Sequence, residues 1–303
     1  MDFTNYKFRC HYQGNLVSAP SCLSATLQDK LISYRDRFKG NGKPLTVKQT
    51  AEYHALEVRD HESKNPKLST TAEKTCAEIV YNAKFKRKYT LQNKYFEKGL
   101  WVEKEARDIL SSVLGVMLTS DPDHKSNDWV VGARDVKLPD LIIDIKSTWD
   151  ISTFCKHITD SNEEFYKRQL DSYMDLWGIK DSLLSFILVD TPDHLLNQEI
   201  TRRNYSLNFI GDDGEIRDNR IDEVKKLVTD HLFTRENLES FCRQSGTIRI
   251  EWFDDFKEIE IKDRVHLVAH PYNETRIEQR NHSLRLCREF MNNIKAINNL
   301  NYK

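Results

Sequence analysis

Residues 128–150 read DWVVGARDVKLPDLIIDIKSTWD, and the fold turns on how this stretch divides. Taken as a strand, 140–146 alternates with period two. Asp140, Ile142, Asp144 and Lys146 share one face, and Leu141, Ile143 and Ile145 the other. The second face is core. The first carries charge from the middle of a strand, which marks either a solvated edge or a site. Pro139 reads as turn punctuation ahead of the strand. With the hairpin tip between Pro139 and Asp140, Lys137 faces Ile142, Val136 faces Ile143, and Asp135 faces Asp144, with Cβ atoms about 5 Å apart. Proline disfavours a two-residue primed turn, but a four-residue loop keeps this register. Asp140 is the alternative partner. About 13 Å of straight strand separates it from Asp144, whereas two carboxylates on one ion must each come within about 2.1 Å of it.

Two facing carboxylates with a lysine two residues along suit cation-assisted hydrolysis. Magnesium, or manganese in its place, takes oxygen ligands and keeps waters, and it polarises phosphate and acidifies bound water. Lys146 is placed to position such a water, to help deprotonate it and to offset charge, and the Ile145 carbonyl is a further candidate ligand.

Working outward, helices are expected over about 46–59 with Thr46 as cap, and over about 70–81 with Ser69, Thr70 or Thr71 as cap. A helix over about 96–114 precedes a β-rich block over about 116–147. A helix over about 163–177 follows, and then the apolar run SLLSFILV at 182–189, a buried central strand. Helical segments fill about 193–204 and 221–241, and strands near 248–252 and 265–269 lead to a closing helix over about 273–298. Residues 1–45 are mixed, with turn signals at Ser18-Ala19-Pro20 and Gly40-Asn41-Gly42. The pattern is that of an α/β sandwich around a mixed sheet. Residues 1–70 form an N-terminal extension, and 71–303 the main domain.

With 39% hydrophobic and 31% charged residues in 303, the chain suits a soluble globular protein. A net charge of −1 confines any nucleic-acid surface to a local basic patch. No apolar run is long enough to span a membrane, and the opening MDFTNYKFRC lacks the apolar core of a signal peptide. The six cysteines include no CxxC pair, which fits free thiols in a reducing cytoplasm and argues against a zinc ribbon. The basic run KFKRK at 84–88 is either a solvated face or a phosphate contact. Arg202 and Arg203 carry the same two readings. Trp149 and Phe154 suit either core packing or stacking on DNA ends. His266 and His270 share at best one face of a strand-like segment, a weak basis for a metal site.

Asp135, Asp144-Ile145-Lys146 and the preceding Gly132 resemble the core of the PD-(D/E)XK nucleases, in particular the YqaJ-like viral recombinase branch that includes lambda exonuclease. That branch carries Gly-x-Pro-Asp on one strand and (Glu/Asp)-x-Lys on the next. Here Arg134 stands in place of the proline, which keeps Asp140 open as the first ligand. The branch also carries Gly-x-x-x-Glu on a preceding helix, matched by Gly99 and Glu103. Helical periodicity alone does not separate Glu103 from Glu105, each about 80° from the centre of the apolar stripe, and the family spacing favours Glu103. A later Gln-x-x-x-Tyr is matched by Gln169 and Tyr173, which share a helix face. KFRC at 7–10, KYFEKG at 94–99, DIKSTWD at 144–150 and ILVDTPDHLL at 187–196 extend the similarity over nearly the whole chain.

The resemblance implies a restriction-endonuclease-like core with a central mixed sheet flanked by helices. It implies a magnesium-dependent deoxyribonuclease with Glu103, Asp135, Asp144 and Ile145 as metal ligands, and Glu103, Asp135, Asp144, Lys146, Gln169 and Tyr173 as catalytic residues. It further implies 5′→3′ digestion of duplex ends in phage recombination or repair, a ring-shaped homo-oligomer, and a single-strand annealing protein as partner. Some related nucleases build an iron–sulfur cluster from distant cysteines. A structure- or site-specific endonuclease on the same core, and an inactive DNA-binding module, are the rival functions.

Overall fold

A computed structural model describes residues 1–17, 23–64, 67–87, 93–160 and 163–300. The turn expected at Ser18–Pro20 and the last lysine of KFKRK, Lys88, lie outside the described residues. The chain forms two compact units: Met1–Lys88 with Asn127–Val130 and Asn273–Lys303, and Tyr89–Ser126 with Val131–Tyr272.

The first unit holds β1 (Phe8–Arg9), α1 (Gln13–Leu16), α2 (Ala25–Phe38), α3 (Val47–Lys64), α4 (Thr70–Phe85) and the closing helix Glu274–Leu300. The caps read from sequence act at α3, where Thr46 Oγ1 accepts from Gln49 N, and at α4, where Ser69 Oγ accepts from Ala72 N. Helix α2 lies in the stretch read as mixed. It buries only Leu31 and Tyr34, so its apolar stripe is faint. It is tied to α3 by ion pairs, Lys30 to Glu52 and Arg35 to both Glu57 and Asp60.

The second unit holds α5 (Lys94–Leu114), β2 (His124–Ser126) and β4 (Ile142–Ser147), with β3 (Val130–Ala133) entering it at Val131. It continues through α6 (Ile151–Thr159), α7 (Glu164–Trp177), β5 (Ser182–Ile187), α8 (Asp193–Leu207), α9 (Ile221–Thr229), α10 (Arg235–Ser245) and β6 (Val265–Ala269). Strand β4 pairs parallel with β5, and β5 antiparallel with β6, giving a mixed three-stranded sheet with β4 at one edge. On α5, Val102, Ala106, Ile109 and Leu110 pack against Val136, Ile143, Ile187 and Val189. The mixed α/β class with small sheets flanked by helices is as expected.

Local expectations fail in four places. The helical stretch read over 221–241 is interrupted at residues 230–234, where Phe233 N donates to the buried Asp190 carboxylate. The strand read near 248–252 is a 3-10 turn, Ile250–Phe253, whose Phe253 is buried. Helix α6 follows the strand directly, capped by Asp150, whose carboxylate accepts from Thr153 N at 2.7 Å. The hairpin is the largest difference: residues 134–141 contain no strand, and β3 does not pair with β4. Arg134 folds inward instead, 2.5 Å from the Asp121 carboxylate and donating to Leu138 O at 2.7 Å. Val136 bridges antiparallel to Ser120, and Lys137 N donates to Thr119 O at 3.0 Å, so the expected second arm is paired away from β4.

Candidate active site

Strand β4 turns its even-numbered amides toward β5: Ile142 N donates to Asp181 O and Thr148 N to Ile187 O. The amide of Ile145 therefore faces the open edge, and in an extended strand its carbonyl faces the same way. Asp135 Oδ2 accepts from Ile145 N at 2.7 Å. Asp135 thus meets Asp144 by capping the strand edge with its side chain rather than through a ladder. Asp140 is exposed in the bend before the strand, so Asp135 is the carboxylate brought to Asp144.

Asp144 is fully buried. Its Oδ1 accepts from Lys146 Nζ at 3.1 Å. Its Oδ2 lies 2.8 Å from the same ammonium. One ammonium therefore meets both oxygens of Asp144, and its charge also acts on Asp135. Burial, and next the Asp144 charge, push the Asp135 carboxyl up to about 7. Burial also raises Asp144, against the pull of Lys146. For Lys146, burial acts to discharge the ammonium, but the Asp144 and Asp135 carboxylates outweigh it and hold the group above its ordinary value.

Helix α7 closes the other side. Lys146 Nζ reaches Gln169 Oε1 at 3.4 Å, and Gln169 Nε2 donates to Tyr173 Oη at 2.8 Å, so the two predicted residues form one chain ending on the lysine. Sequence reasoning missed Tyr166, whose ring centroid lies 5.3 Å from Lys146 Nζ. It sits one turn before Gln169 on the same helix face, and that spacing was the available signal. It also missed Arg134, whose guanidinium packs 5.3 Å from the Trp177 ring centroid and holds the loop that presents Asp135.

Glu103 is half exposed, 3.4 Å from Arg107 Nη1, yet near enough for its charge to act on Asp135. Glu105 shares its surroundings with Lys98, Asp190 and Arg264 instead. Of the two glutamates, Glu103 is the one whose charge reaches Asp135, but it is not drawn in: among the described residues no three Asp, Glu, His or Cys side chains converge as a ready set of metal ligands. What is assembled is a carboxylate pair short of positive charge, with Lys146 the one ammonium among the described residues in contact with Asp144. That donor set fits a hard divalent cation that keeps most of its waters.

Across the full chain, the molecule superposes on a phage-related exonuclease from Haemophilus somnus 129PT with a TM-score of 0.59 and 17% identity, covering 96% of both chains. The two share a fold. An alkaline exonuclease from Laribacter hongkongensis is also similar, with a TM-score of 0.45, 10% identity, and coverage of 76% of this chain and 85% of that one. No family model matches the sequence, and no curated protein matches it.

The remaining sequence candidates lie outside the site. Trp149 and Phe154 are buried at 6% and 3% exposure and serve as packing. His270 Nε2 lies 2.8 Å from the buried Asp171 carboxylate, while His266 stacks on Phe186 in the sheet. No helix among the described residues is long and apolar enough to cross a membrane.

Proposed function

We propose that the chain is a divalent-cation-dependent deoxyribonuclease that digests linear duplex DNA from its ends. The observation that carries this reading is the under-neutralised pair Asp135 and Asp144 beside Lys146, at the open edge of β4. The fold shared with a phage-related exonuclease supports it. Asp135 and Asp144 would hold magnesium or manganese, with the Ile145 carbonyl on the same edge and Glu103 approaching from α5. When bound, the ion polarises the phosphate and acidifies water. Lys146, held as an ammonium, orients the attacking water and offsets charge on the phosphate. Gln169 and Tyr173 fix the ammonium from behind. Water adds to phosphorus, the bond to the bridging oxygen breaks, and that oxygen leaves with a proton. A role in phage recombination or repair in the cytoplasm, a ring-shaped oligomer, and a single-strand annealing protein as partner belong to the same reading.

The test uses linear duplex labelled at either 5′ end, closed circular DNA, and magnesium or EDTA, with wild type beside Asp144→Ala and Lys146→Ala. Loss of linear DNA only, requiring the cation and abolished by both substitutions, is expected. Cutting of the circle would replace the exonuclease reading with an endonuclease. Cleavage that survives both substitutions would overturn the site.

A further inference from the structure

Helices α5 and α8 lie side by side in the second unit. Lys94 Nζ is 2.9 Å from the Glu199 carboxylate, and Trp101 packs on His194 with ring centroids 4.8 Å apart. At the Lys94 end, one carboxylate gathers three cations: Lys94 from α5, and Arg202 and Arg203 from α8 itself. Glu199 is 2% exposed, while Arg202 and Arg203 keep 63% and 40% of their side-chain surface in solvent. A single buried carboxylate needs one cation, and this one leaves two positive charges over. A guanidinium has five N–H donors. Glu199 takes only Nε and Nη2 of Arg202 and Nε of Arg203, which leaves most N–H donors of both unspent on it. Exposed rings flank them: Tyr205, 89% exposed, lies one turn beyond Arg202, and Tyr95, 58% exposed, has its ring centroid 5.3 Å from Lys94 Nζ. On a chain of net charge −1, such a local surplus with flanking aromatics is the composition of a site for a nucleic-acid strand: cations for the backbone, ring faces for the bases.

We infer that Lys94, Arg202 and Arg203 bind the phosphate backbone of a single DNA strand, with Tyr95 and Tyr205 as stacking platforms. This rests on the nuclease reading for the choice of DNA. Lys94 and Glu103 are separated by about 13 Å along α5, a span that a strand covers in about four stacked bases. Glu199 anchors the guanidinium groups by accepting from them and is not itself a ligand, and glutamine at 199 can still accept.

Binding is measured by fluorescence anisotropy of a labelled single-stranded oligonucleotide in EDTA across a salt series, where no cleavage intervenes. Arg202→Ala/Arg203→Ala should weaken binding at least tenfold at low salt and flatten the slope of log affinity against log salt by about 1.4. Tyr205→Ala should weaken it severalfold with the slope unchanged. Glu199→Gln, which keeps every cation and removes the carboxylate charge, should bind at least as tightly per folded molecule. Unchanged affinity and slope in the double arginine variant would overturn the site, as would a loss of binding in Glu199→Gln matching that of the double variant. The two proposals fail separately. A wild type that cleaves DNA while the double variant binds normally removes this site and leaves the nuclease. A wild type that binds a strand through these arginines but cleaves nothing with any divalent cation removes the nuclease and leaves this site.

Discussion

Asp144 and Glu199 are both buried carboxylates of the second unit, and their surroundings are opposite. Asp144 meets one ammonium, whose charge also acts on Asp135, and burial raises both acids. At Glu199 burial also acts upward, but hydrogen bonds from Arg202, Lys94 and Arg203 outweigh it and pull the group down to about 2. Burial acts upward on both, and the outcome differs in sign as hydrogen bonds from three cations outweigh it at Glu199 and one ammonium does not at Asp144. The first arrangement is short of positive charge, and the second has it to spare.

The largest expected separation between the two is in turnover. Asp144→Ala and Lys146→Ala should each lower cleavage by about 10²–10⁴-fold, measured as release of labelled nucleotide in magnesium. An effect below tenfold would put the reaction elsewhere. Next comes stability. Arg134→Ala strips the buried Asp121 of its partner and should cost about 3 kcal/mol in urea unfolding, and it should depress cleavage as well because the loop carrying Asp135 loses its pin.

Opposite signs should then appear on removing charge. The folded Asp135 carboxyl binds its proton more tightly than the unfolded one, so stability falls as pH rises from about 4 to about 7 and stays low above that. Asp135→Asn should therefore raise Tm by about 2–4 °C at pH 8 in EDTA, on the order of 1 kcal/mol. Magnesium should raise the Tm of wild type but not of that variant. Glu199 is depressed instead, so its contribution is present above about 4.5 and lost as pH falls toward about 2. Glu199→Gln should lower Tm at pH 8. The same sign in both variants would break the comparison. Asp140→Ala, exposed in its bend, should shift stability by less than about 0.5 kcal/mol.

Much of this was legible in sequence where one local rule decides. Caps and apolar stripes placed α4, α5 and α7, and a run of apolar residues placed β5. The meeting of Asp135 with Asp144 was also legible, but by a hairpin that does not exist. Pairing rules see adjacent segments, and here a side chain makes the bridge to β4 while Val136 and Lys137 pair instead with Ser120 and Thr119, and Arg134, read only as a departure from a motif, reaches back to Asp121. Tertiary partners of this kind leave no periodic trace. The same holds for Glu199, an ordinary glutamate in α8 until Lys94 arrives from a helix about a hundred residues earlier.

The bond from Ile145 N to Asp135 has a consequence outside chemistry. Strand β4 ends its sheet, and an uncapped edge is a template for another chain. By occupying that amide, the carboxylate also guards solubility. Asparagine at 135 can still accept the bond, whereas alanine cannot, so drift toward an inactive protein meets a second filter: the variants that lose the acceptor open a seam along which molecules can zip together.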